Sequence, residues 1–223
     1  MKKTTKQGDD PMKYNAVLFD LDGTLLDTLG DLQLGVNLTL AKHGYPTRTL
    51  EEIRAFVGNG ARELMRLALP AATPEAEREA ILAEYLDWYA VNFCVKAAPY
   101  PGVKAAVDAL VERGVKVGIV SNKPDATTKK LGAMFFPGLP AFGQRDDIPK
   151  KPAPEMVWKA METLGVTAEE AVYVGDSEVD VATARNAGLP LVAVNWGFRT
   201  TQQLIDAGAQ LIVSTTEDLL AAL

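Results

Sequence analysis

The chain has 223 residues, 48% of them hydrophobic and 23% charged, which suits one substantial folded domain with room for an insertion and excludes disorder, collagen or coiled coil as an overall description. Lys and Arg number 23 against 29 Asp and Glu, a net charge of −6, so there is no basic footprint for nucleic acid or anionic lipid. No apolar run approaches the roughly 20 residues that span a bilayer, and the only cysteine, Cys94, can form neither an intramolecular disulfide nor a cysteine metal cage, which leads us to expect a reducing cytoplasm.

Residues 1–12 start basic but lack the apolar stretch of a signal peptide, and they read as a flexible tail. Residues 14–20 (YNAVLFD) form a short, almost continuous apolar run that stops at an acid. That is the pattern of a strand covered on both faces in a parallel sheet. From 28 to 98 there are helical patterns and no strand run, with a helix expected over 62–69 after Gly58-Asn59-Gly60 and another over 80–93. Such a block is too long for a simple crossover, and it reads as an inserted helical cap that ends at Pro99-Tyr100-Pro101-Gly102. Within it, Tyr85, Trp88, Tyr89 and Phe93 are expected to be cap core, and His43 a capping or surface residue.

Beyond the cap, strand and helix alternate. A helix is expected over 102–113, then a strand over 115–120 ending at Ser121-Asn122. Residues 132–150 contain little helical pattern and should supply a sheet edge and the path toward Lys151. Helices over 155–164 and 179–187 flank a strand over 171–174 that ends at Gly175-Asp176, and further strands are expected over 191–194 and 211–213. This order gives an α/β class, a Rossmann-like parallel sheet core of 13–27 plus 99–223 with an all-helical cap at 28–98. In such sheets ligands sit beyond the carboxyl ends of the strands, where each of these runs ends in polar residues.

The most specific feature is Asp20-Leu21-Asp22-Gly23-Thr24-Leu25-Leu26-Asp27-Thr28. Two acids two apart at the end of a buried strand cannot both point into a core without a large desolvation cost. Asp176 and Asp180, at the end of a later strand, would converge on the same sheet edge. Carboxylates at such close quarters require a cation, and oxygen ligands in phosphate chemistry select Mg²⁺. Acids at a helix N-terminus are common without a metal, so Asp176 and Asp180 draw their weight from the first pair.

The nonapeptide resembles the first motif of the haloacid-dehalogenase superfamily of phosphatases. Ser121 resembles that superfamily's second motif, Lys151 in Lys-Pro-Ala-Pro its third, and Gly175-Asp176-Ser177-Glu178-Val179-Asp180 its fourth. The insertion resembles a type 1 helical cap. Within the superfamily, Val57-Gly58-Asn59-Gly60-Ala61-Arg62, Ser121-Asn122-Lys123-Pro124 and Asn195-Trp196-Gly197-Phe198-Arg199 are most similar to phosphoglycolate phosphatases. The resemblance implies Mg²⁺ held by the Asp20 carboxylate, the Asp22 backbone carbonyl and the Asp176 carboxylate, with Asp180 acting through water or other residues. It implies Asp20 as nucleophile and Asp22 as general acid and base. Lys151 and Ser121 would neutralise the transferring phosphoryl.

Thr24, Asn122 and Arg62 are the candidate substrate-binding residues, with Lys123 a weaker one; Arg62 would fork onto a substrate carboxylate or second anion. Taken alone, Ser121 reads equally as a strand-end cap, Lys151 as a loop lysine, and Arg62 as an exposed helix arginine. The implied activity is Mg²⁺-dependent hydrolysis of a small anionic phosphate ester, 2-phosphoglycolate first, by a monomer or homodimer. A sugar-phosphate phosphatase, a phosphomutase and a non-catalytic phospho-acceptor are the alternatives.

Overall fold

A computed structural model describes residues 12–223. The tail expected over 1–12 therefore lies outside the described residues except for Met12, which is half-buried and packs against the core rather than hanging free. The first strand, β1 (Ala16–Phe19), is fully buried. A two-residue strand β2 (Leu26–Asp27) follows, then four helices: α1 (Leu29–Lys42), α2 (Leu50–Phe56), α3 (Ala61–Ala68) and α4 (Glu75–Val91). Strand β3 (Ala98–Pro99) pairs antiparallel with β2, Leu26 against Pro99 and Asp27 against Ala98. That ribbon is the stem on which the four helices sit, and their buried residues form a hydrophobic cluster of their own around Val36, Leu40, Ile53, Met65 and Ile81.

The rest alternates: α5 (Val103–Glu112), β4 (Lys116–Pro124), α6 (Asp125–Phe135), β5 (Ala141–Gln144), α7 (Glu155–Leu164), β6 (Ala171–Gly175), α8 (Glu178–Ala187), β7 (Leu191–Val194), α9 (Thr201–Ala207), β8 (Ile212–Val213) and α10 (Thr216–Ala222). The six longer-range strands form one parallel sheet in the order β5-β4-β1-β6-β7-β8. The period-2 alternation of a strand divides β1 between two cores. Val17 and Phe19 join Val107, Leu110 and Leu219 on one face, while Ala16 and Leu18 join Met156, Val157 and Ala184 on the other. Burial on both faces is why β1 and β6 read as unbroken apolar runs. The chain leaves β1 toward β4 on one side and β6 on the other, so the crevice of the sheet opens at the carboxyl ends of these three strands.

Three differences from the sequence expectations bear on the site. Strand β4 runs on to Pro124, beyond the apolar run, because Ser121, Asn122 and Lys123 remain buried while finding polar partners. Helix α6 continues to Phe135, into the stretch expected to hold little helix. The sheet edge within 132–150 is β5, which pairs with β4. Among the described residues no helix is long and apolar enough to cross a membrane.

Candidate active site

The end of β1 places Asp20 directly beyond the sheet, its amide donating to the Val174 carbonyl at 2.9 Å. The chain then turns at Gly23, whose φ of +90° suits glycine, and a Cβ there would collide with the Asp176 carboxylate. Lys151 is 2% exposed and reaches this point from the loop before α7. Its Nζ lies 2.8 Å from Asp20 Oδ1 and 2.9 Å from Asp180 Oδ1, and donates to the Tyr173 hydroxyl at 3.0 Å.

Asp180 is fixed by its own helix start. Ser177 caps α8 in a capping box, its hydroxyl accepting from the Asp180 amide. In return Asp180 Oδ2 accepts from the Ser177 amide at 3.1 Å, the Ser177 hydroxyl at 2.6 Å and the Asp176 amide at 3.2 Å. With Lys151 and Tyr173 on Oδ1, both oxygens of Asp180 are already engaged. Its placement is therefore that of a carboxylate that orients Lys151 and the Asp176 loop. Asp176 accepts from the Phe198 amide at 2.7 Å and from Thr24 Oγ1 at 3.1 Å.

Asp20, Asp176 and Asp180 each offer an oxygen within 4.8 Å of the others, and all three are buried. The electrostatics follow from that crowding. Burial pushes the Asp20 carboxyl up to about 7 against the pull of Lys151, and Asp180 and Asp22 push in the same direction as burial. Burial, then Asp180 and Asp20, hold Asp176 well above the usual carboxylate range. Burial works against the charge on Lys151, but Asp180 and Asp20 outweigh it and keep the ammonium protonated.

Asp22 sits apart from this cluster. Its carboxylate takes two bonds from Lys123 Nζ, at 2.9 and 2.8 Å, and one from Thr28 Oγ1 at 2.7 Å. The two acids of the first motif thus have separate cations, Lys151 for Asp20 and Lys123 for Asp22. Together with Ser121 and Asn122 they line a cleft between the sheet edge and the helical block. Leu32, Val57, Leu64, Tyr85, Tyr89 and Phe198 form its apolar side.

Several residues stand differently from expectation. Arg62 does not line the cleft: it is 63% exposed and pairs with Glu79 on the surface. Helical phase is the reason, since Ala61, Leu64, Met65 and Ala68 take the inward positions of α3 and turn Arg62 outward. Thr24 is occupied with Asp176, which makes it a support for that carboxylate rather than a substrate contact. Asn122 braces the structure, donating to the Gly58 and Lys151 carbonyls at 3.0 and 2.9 Å and accepting from the Lys151 amide at 2.8 Å. Tyr85 and Tyr89, expected to be cap core, are buried there and also line the cleft. His43 ends α1 at the surface beside Glu84.

Two further residues carry weight, although the sequence assigned neither a role. Tyr173 lies inside an apolar strand run, and nothing local sets it apart from its neighbours there. Arg199 holds Glu178 in a two-pronged pair at 2.7 and 2.9 Å, and donates to the Arg54 and Val57 carbonyls at 3.0 and 2.7 Å.

A family profile described as haloacid dehalogenase-like hydrolase matches residues 17–194. The chain is similar to a phosphoglycolate phosphatase of Xanthomonas campestris pv. campestris, at 38% identity over 192 residues covering 82% of this chain and 84% of the relative. It is similar to another of that name from Rhodobacter capsulatus, at 39% identity over 194 residues covering 83% of this chain and 86% of the relative. A solved structure assigned to the phosphoglycolate phosphatases, from Lactobacillus delbrueckii subsp. bulgaricus, superposes with a TM-score of 0.89 at 36% identity, covering 95% of this chain and 98% of that one. The paired acids at the end of β1, the buried lysine between them and α8, and these likenesses agree: the chain belongs to the haloacid dehalogenase-like hydrolases.

Proposed function

We propose that this chain is a phosphatase that hydrolyses a small phosphomonoester, 2-phosphoglycolate first, through an aspartyl phosphate on Asp20. The observation that carries the reading is the separation of the two first-motif acids. Asp20 is held by Lys151 among other buried carboxylates, and Asp22 is held by Lys123 and Thr28 two residues along. That separation supports Asp20 as the nucleophile and Asp22 as the group that exchanges a proton. The relatives' name supplies the substrate.

The donor set suits a Mg²⁺ ion. Buried carboxylate oxygens outnumber the one ammonium among them, and Gly23 and Gly197 leave Asp176 a space that any larger residue would fill. Asp20 and Asp176 would hold the ion through their carboxylates and Asp22 through its backbone carbonyl. When bound, it would add positive charge beside the transferring phosphoryl. In the first step, which Asp22 must enter as the carboxylic acid, an Asp20 oxygen bonds to phosphorus as the ester P–O bond breaks, and Asp22 gives its proton to the leaving alkoxide. In the second, Asp22 takes a proton from water, the water oxygen bonds to phosphorus, and the Asp20–phosphorus bond breaks to release phosphate. Lys151 and the Ser121 hydroxyl steady the phosphoryl oxygens throughout. The unpaired thiol of Cys94 is in keeping with a reducing cytoplasm.

The test is phosphate release from a panel of small esters with Mg²⁺ present. The expected result is the highest kcat/KM for 2-phosphoglycolate. Preference for sugar phosphates would discard the named substrate, transfer of the phosphoryl to a sugar would make the chain a mutase, and a long-lived aspartyl phosphate without turnover would make it a phospho-acceptor.

A further inference from the structure

Two tyrosines that line the cleft take no part in this phosphoryl chemistry. Tyr85 and Tyr89 stand one turn apart on α4 with their rings stacked, centroids 5.6 Å apart and planes 16° from parallel. Both line the cleft, yet they are only 1% and 2% exposed, and neither hydroxyl has a hydrogen-bond partner among the described residues. Buried tyrosine hydroxyls ordinarily find a partner. Two orphans side by side on the wall of a cleft point to a ligand that brings the missing acceptor.

The surroundings specify what that acceptor is. The Lys123 ammonium lies 4.9 Å from the centre of the Tyr89 ring and is itself buried. Burial holds both phenols in their protonated, donating form. Leu32, Leu64 and Phe198 make the rest of this wall apolar. Two O–H donors and a cation in dry surroundings match a group that only accepts, namely a carboxylate.

We infer that the Tyr85 and Tyr89 hydroxyls, with the Lys123 ammonium beside them, form the subsite for the carboxylate end of a short phosphorylated acid and set the specificity for it. The inference rests on the reading of the chain as a phosphatase for such an ester. It gives these two tyrosines the part that Arg62, paired with Glu79 on the surface, does not reach to play.

The test compares 2-phosphoglycolate with ethyl phosphate, which keeps the phosphate ester and lacks the carboxylate. Wild type, Tyr85→Phe, Tyr89→Phe and the double variant are assayed with saturating Mg²⁺, and their thermal unfolding is measured without substrate. The preference for 2-phosphoglycolate, as the ratio of the two kcat/KM values, should fall about 10- to 100-fold in each single variant, mostly through KM. The unfolding temperature should hold or rise, because an unpaired buried hydroxyl has been removed; a merely structural role would lower it and leave the ratio alone. Wild-type preference retained in the double variant overturns the inference while leaving the function standing. No preference in the wild type overturns the named substrate and the carboxylate subsite together.

Discussion

The crowded carboxylates make the metal-free protein less stable as pH rises, and Asp20 is the group on which to show it. Its carboxyl moves from an ordinary 3.8 in the unfolded chain to about 7 in the fold. A raised carboxyl contributes stability that is complete below the unfolded value and is lost as pH climbs through the folded one. The shift amounts to about 4 kcal/mol in full, of which about 2.5 kcal/mol disappears between about pH 5 and pH 8. For a chain of this length that is a fall of about 5–10 °C in Tm. Asp20→Asn has nearly the same shape and no charge, and it leaves Lys151 balanced by Asp180 at 2.9 Å. Thermal unfolding in a chelator should therefore show the variant more stable than wild type at about pH 8, with the gap shrinking toward about pH 5. Added Mg²⁺ should raise the Tm of wild type most at the higher pH and that of the variant little. A gap that is absent, or that is the same at both pH values, would refute the claim that burial among like charges strains Asp20.

Thr24→Val removes the 3.1 Å bond to Asp176 at almost constant volume, and should raise the Mg²⁺ concentration for half-maximal activity about tenfold, read from a metal titration at fixed substrate. Arg62→Ala removes an exposed pair with Glu79. It should change stability by less than about 1 kcal/mol and leave kcat/KM for 2-phosphoglycolate within about threefold. A loss of a hundredfold would return Arg62 to the substrate.

What could be read in advance depended on whether one residue's neighbours in the chain were also its neighbours in space. Asp20 and Asp22 follow a strand whose burial on both faces shows in its apolar run, so their position at the sheet edge was plain from the chain alone. The change from a continuous apolar run to helical spacing likewise pointed to helices after residue 28, where α1 to α4 lie. Arg62 was misplaced although the signal was present: the inward spacing of Ala61, Leu64, Met65 and Ala68 leaves it on the other side of α3. Lys123 and Asp22 are 101 positions apart, and nothing local to either announces their pair. The same holds for Tyr173, whose phenol meets Lys151 of the loop before α7. The two cleft tyrosines were legible as apolar helix positions, but an unpartnered hydroxyl is a property of packing alone.

The hydrogen bonds that tie the loop after α2 to the sheet edge share one trait. Arg199 donates to the carbonyls of Arg54 and Val57, Asn122 to that of Gly58, and Lys150 to that of Asn59. Every one of these handles is main chain, present whatever side chain the position carries. These hydrogen bonds are therefore indifferent to the side chains at residues 54, 57 and 59, provided the loop keeps its path through Gly58, where φ is +130°. Side chains of the helical block can be exchanged with these four hydrogen bonds left in place. Such an arrangement lets the helical block be refitted for new esters while its polar attachment to the machinery beneath stays as it was.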